Sequence, residues 1–355
     1  MRYHSVLILF LINQSILAQD FSGIKVIDSL EDNKFYIVGQ LHCNLANNII
    51  EKELLLGLNS KYGVQYNIIE YGHSVALLIN EYLNSGQDSF LKYINPHANF
   101  SLVKAIKTFN DSLSTDNKIK FYGLDFEGRF EGKFTKHAIQ HIVNQTKLSP
   151  LSQLFHLMRS IIDAKPPQMQ NKIENLRLFL AKNNGECRSL LKDYFLDLLL
   201  IVNAQYKFSP NRDGTMVDNF YRLYRELLLT NSDPRFFASF GTGHINPSNK
   251  RGIAMRLLKD ESSPVNQKVS VIGVQYINSG FYKASVEKQT DGNLSYLCEN
   301  SISDIKQLFE FNQSHSITYI SKKTLNLLNC KRDISTFSGL LFIQNYGEAP
   351  FCYWQ

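Results

Sequence analysis

The chain has 355 residues, 44% of them hydrophobic, and a formal net charge of +6 at pH 7. This length and apolar content are ample for one large domain or two small ones. The positive charge is mild and no Lys/Arg cluster stands out, so the composition gives no support to a nucleic-acid partner.

The N-terminus has the layout of a secretory signal peptide. Arg2 provides a short positive region, residues 6–12 are apolar, and Ala18 precedes the predicted cleavage point. A short membrane anchor is the alternative interpretation. No later stretch approaches the ~18 consecutive apolar residues of a membrane-spanning helix. We therefore expect an exported protein, periplasmic or secreted, whose mature chain is a single α/β domain over residues 19–355.

Short runs of β-branched and aromatic residues alternate with longer segments of helical periodicity. The predicted strands are 35–39, 64–69, 119–123, 235–240, 269–277 and 339–344. Apolar spacing predicts a helix over 47–60, and a second helix is expected over 74–83 with Ser74 as its N-cap. This alternation indicates an α/β fold with a mostly parallel sheet.

Residues 130–230 have a different pattern, because they lack clear strands. They are predicted to form a helical insertion with helices over 137–145, 151–163, 171–182, 189–206 and 215–229.

Polar side chains follow four of the predicted strands. Gln40 and His42 come after the first strand, Glu70 after the second, Asp125 after the third and His244 after the fourth. Ligands of open parallel sheets bind beyond the carboxyl ends of the strands. These side chains are therefore expected to meet at one edge of the sheet, where two of the strands end in Gly-X-X-His.

Such a set of residues allows two kinds of chemistry. Two neutral imidazoles with a carboxylate can hold a divalent metal ion, so His42, Glu70 and His244 form one candidate metal site. Without a metal, a histidine oriented by a carboxylate can take a proton from water and drive hydrolysis. The amides of Gly241-Thr242-Gly243-His244 could then meet developing negative charge. A purely structural role for these residues is the third interpretation.

Other residues are weaker candidates. His73 follows Glu70 closely and could line the cleft, and Glu127 accompanies Asp125. Cys43 beside His42 is better explained as a buried thiol than as a nucleophile, because adjacent side chains on an extended segment point apart. His137 and His141 lie four residues apart and could share a metal, but a solvated helix face is the simpler explanation.

Several motifs resemble the superfamily of erythromycin esterase-like, Tiki/TraB and ChaN-like proteins. The motifs are YIVGQLHCN, VQYNIIEYGHSVALLINEYLNSGQ, FYGLDFEG, NRDGTMVDNFYRL and FGTGHINPSNKRGIAMRLL, in that order over most of residues 35–280. The resemblance implies an α/β fold of two related halves with a cleft at the strand ends. It implies His42, Glu70 and His244 as site residues, supported by Arg212 and Asp213 from a neighbouring helix. It implies a first histidine that activates water to open a macrolide lactone in the esterases, a divalent metal for peptide cleavage in Tiki-like members and haem iron in ChaN-like members.

The sequence departs from that pattern at Gln40, where the esterases and the ChaN-like proteins have a glutamate; a Tiki-like arrangement does not require that carboxylate. An amide can orient a ligand or water by hydrogen bonds, but it cannot take a proton or add negative charge. Two hypotheses remain open. One is an exported hydrolase that cleaves an ester, lactone or peptide bond. The other is a non-catalytic protein that binds haem, a metal ion or a small ligand in the same cleft.

Overall fold

The computed structural model describes residues 23–42, 44–95, 100–247, 249–277, 316–321 and 337–344. The predicted signal peptide and the side chain of Cys43 lie outside these residues. Within them, no helix is both long and apolar enough to cross a membrane.

The core of the fold is a seven-stranded sheet of order β3-β2-β4-β1-β5-β7-β6, in which every pair is parallel except β6 with β7. The strands are β1 (Phe35–Gln40), β2 (Tyr66–Ile69), β3 (Lys120–Gly123), β4 (Phe236–Gly241), β5 (Val269–Ile277), β6 (Ser316–Ser321) and β7 (Gly339–Gln344). All six predicted strands are confirmed. The sequence analysis missed β6, an antiparallel edge strand, because such a strand needs only one apolar face.

The strand order is the one that two related halves would produce. Along the six parallel strands, β1, β2 and β3 mirror the positions of β4, β5 and β7 about the boundary between β4 and β1. The two central strands pair in register, with Gln40 opposite Gly241. The two Gly-X-X-His turns therefore leave neighbouring strands at the same edge of the sheet.

Thirteen α-helices lie in the described part of the chain. They are α1 (Gly23–Ser29), α2 (Leu45–Tyr62), α3 (His73–Ser85), α4 (Ser89–Ile94), α5 (Ser101–Asp111), α6 (Lys133–Gln145), α7 (Gln153–Ile162), α8 (Pro166–Lys182), α9 (Asn184–Leu191), α10 (Phe195–Asn203), α11 (Arg212–Leu227), α12 (Thr242–Ile245) and α13 (Ile253–Lys259). The run from α6 to α11 between β3 and β4 confirms the predicted helical insertion, which has a buried apolar cluster of its own.

Two details of the helix prediction are wrong. Ser74 is not an N-cap: α3 begins at His73, and the Ser74 hydroxyl donates to the buried carboxylate of Glu127 at 2.6 Å. The segment 189–206 is not one helix, because Lys192 adopts a φ of 49° and separates α9 from α10. A positive φ is uncommon for a residue with a Cβ and interrupts the helical path.

Close approach of two turns requires a glycine at position 123. A Cβ on Gly123 would lie 2.5 Å from the carbonyl oxygens of both Tyr71 and Gly72, and backbone atoms cannot move aside cheaply. We expect Gly123→Ala to lower the free energy of unfolding by about 3 kcal/mol through overpacking.

The matched control is Gly185→Ala, in helix α9. Nothing lies within 4 Å of a Cβ at Gly185, so alanine should stabilise the helix by roughly 0.5–1 kcal/mol. Urea unfolding of both variants measures the contrast. Equal effects at the two positions would show that the approach of the Tyr71–Gly72 turn is not tight.

Candidate functional site

Glu70 lies at the centre of the polar residues at the strand ends. It follows β2 directly, and its side chain is 10% exposed. Its Oε1 accepts a hydrogen bond from Arg212 Nη2 at 2.7 Å, and its Oε2 accepts one from the backbone N–H of Gly241 at 2.9 Å. The second strand of one half is thus joined to the first strand of the other half through this carboxylate. Because the Gly241 amide is occupied, it is not free to meet a developing oxyanion, contrary to the expectation for this turn.

Arg212 connects the sheet edge to the helical insertion. It is the first residue of α11, and it binds Asp125 through Nε at 2.9 Å and Nη2 at 2.6 Å. Asp125 is 1% exposed, so this paired, charge-assisted contact is removed from water. Arg212 is therefore a clamp for two carboxylates, Asp125 and Glu70, that come from neighbouring strands.

His244 faces the same carboxylate from the end of β4. Its Nδ1 is bonded to Asp213, and its Nε2 lies 3.2 Å from Glu70 Oε1 and 3.2 Å from Arg212 Nη1. Burial alone would lower the pKa of His244, but the hydrogen bonds to Asp213 and Glu70 and their negative charges raise it to about 9. At neutral pH the ring is an imidazolium that donates to both carboxylates.

The same contacts fix the charge of Glu70. Burial would raise its pKa, but the hydrogen bond and charge of His244, with the charges of His42 and Arg212, hold the pKa of Glu70 well below its usual range. Glu70 therefore stays ionised down to low pH. It is a fixed negative charge and not a proton donor.

His42 differs from the other site residues because it is open to solvent. Its side chain is 53% exposed, and its Nε2 lies 4.0 Å from Glu70 Oε1. The ring stands close to Gly241, where an added Cβ would lie 3.0 Å from Nε2. An accessible imidazole beside a fixed carboxylate can accept a proton from a bound water. Gln40, two residues earlier, is partly buried at the last position of β1.

The donor set does not fit a metal ion, and the predicted metal site at His42, Glu70 and His244 is therefore not supported. Arg212 already places a cation against Glu70 and beside His244 Nε2. The raised pKa of His244 means that a metal ion would have to displace a proton from Nε2 before that nitrogen could become a ligand. No group of three or more His, Cys, Asp or Glu side chains in the described ranges is arranged to hold a metal.

Two of the sequence candidates have structural roles instead. His73 was expected to line the cleft, but its side chain is fully buried and its Nε2 lies 2.7 Å from Asp197 Oδ1. It is the first residue of α3, and that position turns its ring into the core against Tyr122. Glu127 is buried under α3, where it accepts hydrogen bonds from Ser74 and Thr135.

The paired histidines on α6 lie apart from this site. His141 Nε2 contacts Glu81 Oε2 at 3.0 Å, and the ring of His137 stacks on Tyr93 at 4.4 Å. The two rings thus have different partners, and neither faces a shared ligand position.

The sequence analysis missed Arg129, which extends the charged cluster. Its Nη2 donates to Asp125 Oδ2 at 3.0 Å, and its guanidinium lies 4.6 Å from the ring of Tyr71 and 5.0 Å from that of Phe126. The next two residues, Phe130 and Glu131, adopt φ values of 51° and 55°. Left-handed conformations at bulky residues are costly and are typical of functional segments. An arginine four residues after Asp125 was the only sequence signal.

Comparison with solved structures places this geometry in a known fold. A succinoglycan biosynthesis protein superposes with a TM-score of 0.63 at 12% identity, covering 95% of this chain and 97% of that chain. A Bacillus cereus protein gives 0.61 at 14% identity, covering 91% of each chain. A mutant erythromycin esterase, EreC, in its open conformation gives 0.58 at 13% identity, covering 96% of this chain and 98% of that chain.

This chain has the fold that these three solved structures share. At these identities the likeness shows the fold alone, and it confirms the resemblance predicted from the motifs at that level. No protein-family model matches the sequence, and no curated protein matches it. The roles of the site residues therefore rest on their own contacts in this structure.

The position of His42 can be tested without touching an ionisable group. An alanine at Gly241 would place its Cβ 3.0 Å from His42 Nε2 and 3.5 Å from Glu70 Oε2, so we expect Gly241→Ala to displace the imidazole. Displacement of an acid–base group should lower kcat/KM on any substrate by about 10².

Gly243→Ala is the control, since nothing lies within 4 Å of a Cβ there. Both variants should unfold within about 1 kcal/mol of wild type, because neither position has a positive φ. Equal activity in the two variants would contradict the expected displacement of the His42 ring by an alanine at position 241.

Proposed function

We propose that this protein is an exported hydrolase that cleaves an ester, lactone or peptide bond with a histidine-activated water and without a metal ion. The observation that carries the proposal is the exposed His42 imidazole beside Glu70, a buried carboxylate held ionised by Arg212, His244 and the Gly241 amide. Support also comes from the fold, which the chain shares with an erythromycin esterase.

The proposed reaction uses only groups of this chain. His42 Nε2 takes a proton from water as the water oxygen attacks the carbonyl carbon, and the negative charge of Glu70 stabilises the imidazolium that forms. Arg212 and the imidazolium of His244 lie behind Glu70 and fix its position. Collapse of the tetrahedral intermediate breaks the carbon–heteroatom bond. His42 then returns its proton to the leaving alcohol or amine.

The test is turnover of three probes, p-nitrophenyl acetate, δ-valerolactone and a peptide p-nitroanilide, by wild type and by His42→Ala. For at least one probe we expect kcat/KM to fall by about 10²–10⁴ in the variant, the usual contribution of a general base. His156→Ala is the control, because His156 is an exposed histidine on α7.

Absence of turnover for every probe would contradict the hydrolase and favour the non-catalytic binding protein. Haem, a metal ion or a small ligand would then be the candidate occupants of the cleft. If no probe is turned over, the Gln40→Glu variant provides a second test. A gain of hydrolysis would show that the chain descends from an enzyme that needed the carboxylate.

Export is part of the proposal and has its own test. If residues 1–18 are a signal peptide, the mature protein recovered from the periplasm or the medium should begin at Gln19. A protein that retains Met1 in the cytoplasm would refute export.

A further inference from the structure

Glu51 is a carboxyl on the core-facing side of α2. Helical spacing places it on the same face as Asn47, Leu54, Leu55 and Leu58, whose exposures are 7%, 0%, 0% and 0%. Glu51 itself is only half-buried. Ser239, on the facing strand β4, is also only partly buried, so solvent reaches the contact between α2 and the sheet at these two residues.

The sheet presents a polar group to the same contact. Ser239 lies on β4 next to the Glu51 carboxyl and eases its ionisation. The two groups do not form a hydrogen bond of ordinary geometry. Ser239 Oγ is buried and has no hydrogen-bond partner in the described part of the chain. A buried hydroxyl without a partner is uncommon and calls for a water or a ligand group.

The register of the sheet relates this contact to the candidate site. Ser239 is opposite Val38, and two residues further along the strands Gln40 is opposite Gly241. Because side chains alternate along a strand, Ser239 and Gln40 point to the same face as Val38, the face covered by α2. Ser239 and its neighbour Glu51 therefore lie on the α2 side of the sheet, one strand-end position before the turn that carries His42.

A ring of hydrogen bonds holds that turn to α2. The Leu41 N–H donates to Tyr276 Oη at 3.0 Å, Tyr276 Oη donates to Asn47 Oδ1 at 2.7 Å, and Asn47 Nδ2 donates to the Leu41 carbonyl at 2.7 Å. Glu51 thus lies one helical turn from Asn47, which helps to hold the His42 turn in place. Tyr276, on β5, is the titratable group that faces the Glu51 carboxyl.

The chemistry of Glu51 follows from this environment. Burial raises its pKa to about 7, although the Ser239 hydroxyl acts in the opposite direction. Burial also raises the pKa of Tyr276, and the charge of Glu51 adds to that shift. Near neutral pH about half of the Glu51 carboxyl is therefore protonated, and the protonated form, which predominates at lower pH, can donate a hydrogen bond as the Ser239 hydroxyl can.

We propose that Glu51 and Ser239 form a binding subsite of the cleft that donates hydrogen bonds to an uncharged acceptor, a carbonyl oxygen of the ligand. The proposal deepens the hydrolase proposed above and rests on it for the identity of the ligand as a carbonyl compound. Two adjacent donors match the two lone pairs of one carbonyl oxygen. The apolar neighbours on α2 disfavour a charged group.

The probe is δ-valerolactam, a carbonyl compound that resists hydrolysis, with binding followed by NMR titration between pH 5.5 and 8.5. We expect Glu51→Ala to weaken binding at least about tenfold, the loss of one buried hydrogen bond to a polar partner. Wild-type binding should weaken as pH rises above about 7. Glu51→Gln, which keeps a donor, should bind with no such pH dependence.

Glu53→Gln is the matched control on the same helix, since the Glu53 side chain is 39% exposed and paired with Lys52. Binding to Glu51→Ala as tight as to wild type, or no binding to wild type, would overturn the subsite. Hydrolysis is scored separately on the same samples. Lactam binding without turnover of any substrate keeps the subsite and refutes the hydrolase, and turnover with an unaffected Glu51→Ala does the reverse.

Discussion

Replacing Arg212 with leucine is expected to lower the free energy of unfolding by about 3 kcal/mol, because it removes the cation that two buried carboxylates share. Asp125 is 1% exposed and Glu70 is 10% exposed, and Arg212 binds both. Arg129 also contacts Asp125, but it does not reach Glu70 in the described structure. Urea unfolding at pH 7 measures the loss.

Arg177→Leu is the matched control, because it separates the effect of burial on stability from the effect of ion pairing alone. Arg177 also makes two hydrogen bonds to one carboxylate, that of Glu174, but the two side chains are 36% and 49% exposed. Arg177→Leu should therefore cost less than about 1 kcal/mol. A second mutation, Asp125→Asn, should restore part of the stability of Arg212→Leu by removing one of the two buried negative charges that Arg212 balances. Equal losses for Arg212→Leu and Arg177→Leu would contradict this account of the cluster.

The stability of the protein should also fall as the pH rises through about 9. The pKa of His244 is about 9 in the folded state and near the ordinary histidine value of 6.5 when unfolded. A raised folded-state pKa contributes stability that is fully present below the unfolded pKa and is lost as the pH passes the folded one. The difference corresponds to at most about 3 kcal/mol.

The measurement is the free energy of unfolding of wild type and His244→Asn between pH 6 and pH 10. Wild type should lose stability relative to the variant across this window, and the difference should level off above about pH 9. A difference that is independent of pH would mean that His244 is neutral in the fold. It would then be a base in its own right and not a fixed cation.

Much of the fold could be predicted because its signals are local. The strands that carry the site are short apolar runs that end at glycine or at a polar residue, as β1 does before His42 and β4 before His244. Edge strand β6 has no such signal, since only one face needs apolar residues. The helix break at Lys192 likewise comes from a positive φ, and no glycine or proline at that position indicated it in the sequence.

The candidate site was predicted in part for a similar reason. Groups at strand ends can be found by the position of the strands, which brought Glu70, Asp125 and both histidines into one cluster. His73 could not be assigned correctly, because its partners Asp197 and Tyr122 lie on separate elements far along the chain. Arg129 was missed because its aromatic partners come from separate segments.

Residue types alone could not decide whether the strand ends hold a metal ion. Two histidines and a glutamate at strand ends are a plausible ligand set in the sequence, and the contacts of Arg212 with Glu70 and His244 argue against it. The guanidinium takes the place that a cation would have beside Glu70. The contact between Glu70 and Arg212, which lies 142 residues later in the chain, thus distinguishes a charge-balanced proton-transfer site from a metal centre.

The most direct test of the central claim is hydrolysis by metal-free protein. Mature wild type is dialysed against EDTA, freed of chelator, checked for metal by elemental analysis and assayed with the probe ester, lactone or peptide. The account predicts that kcat/KM stays within about twofold of the untreated protein and is lost in His42→Ala. Activity that disappears with the metal and returns when Zn²⁺ is added would contradict it.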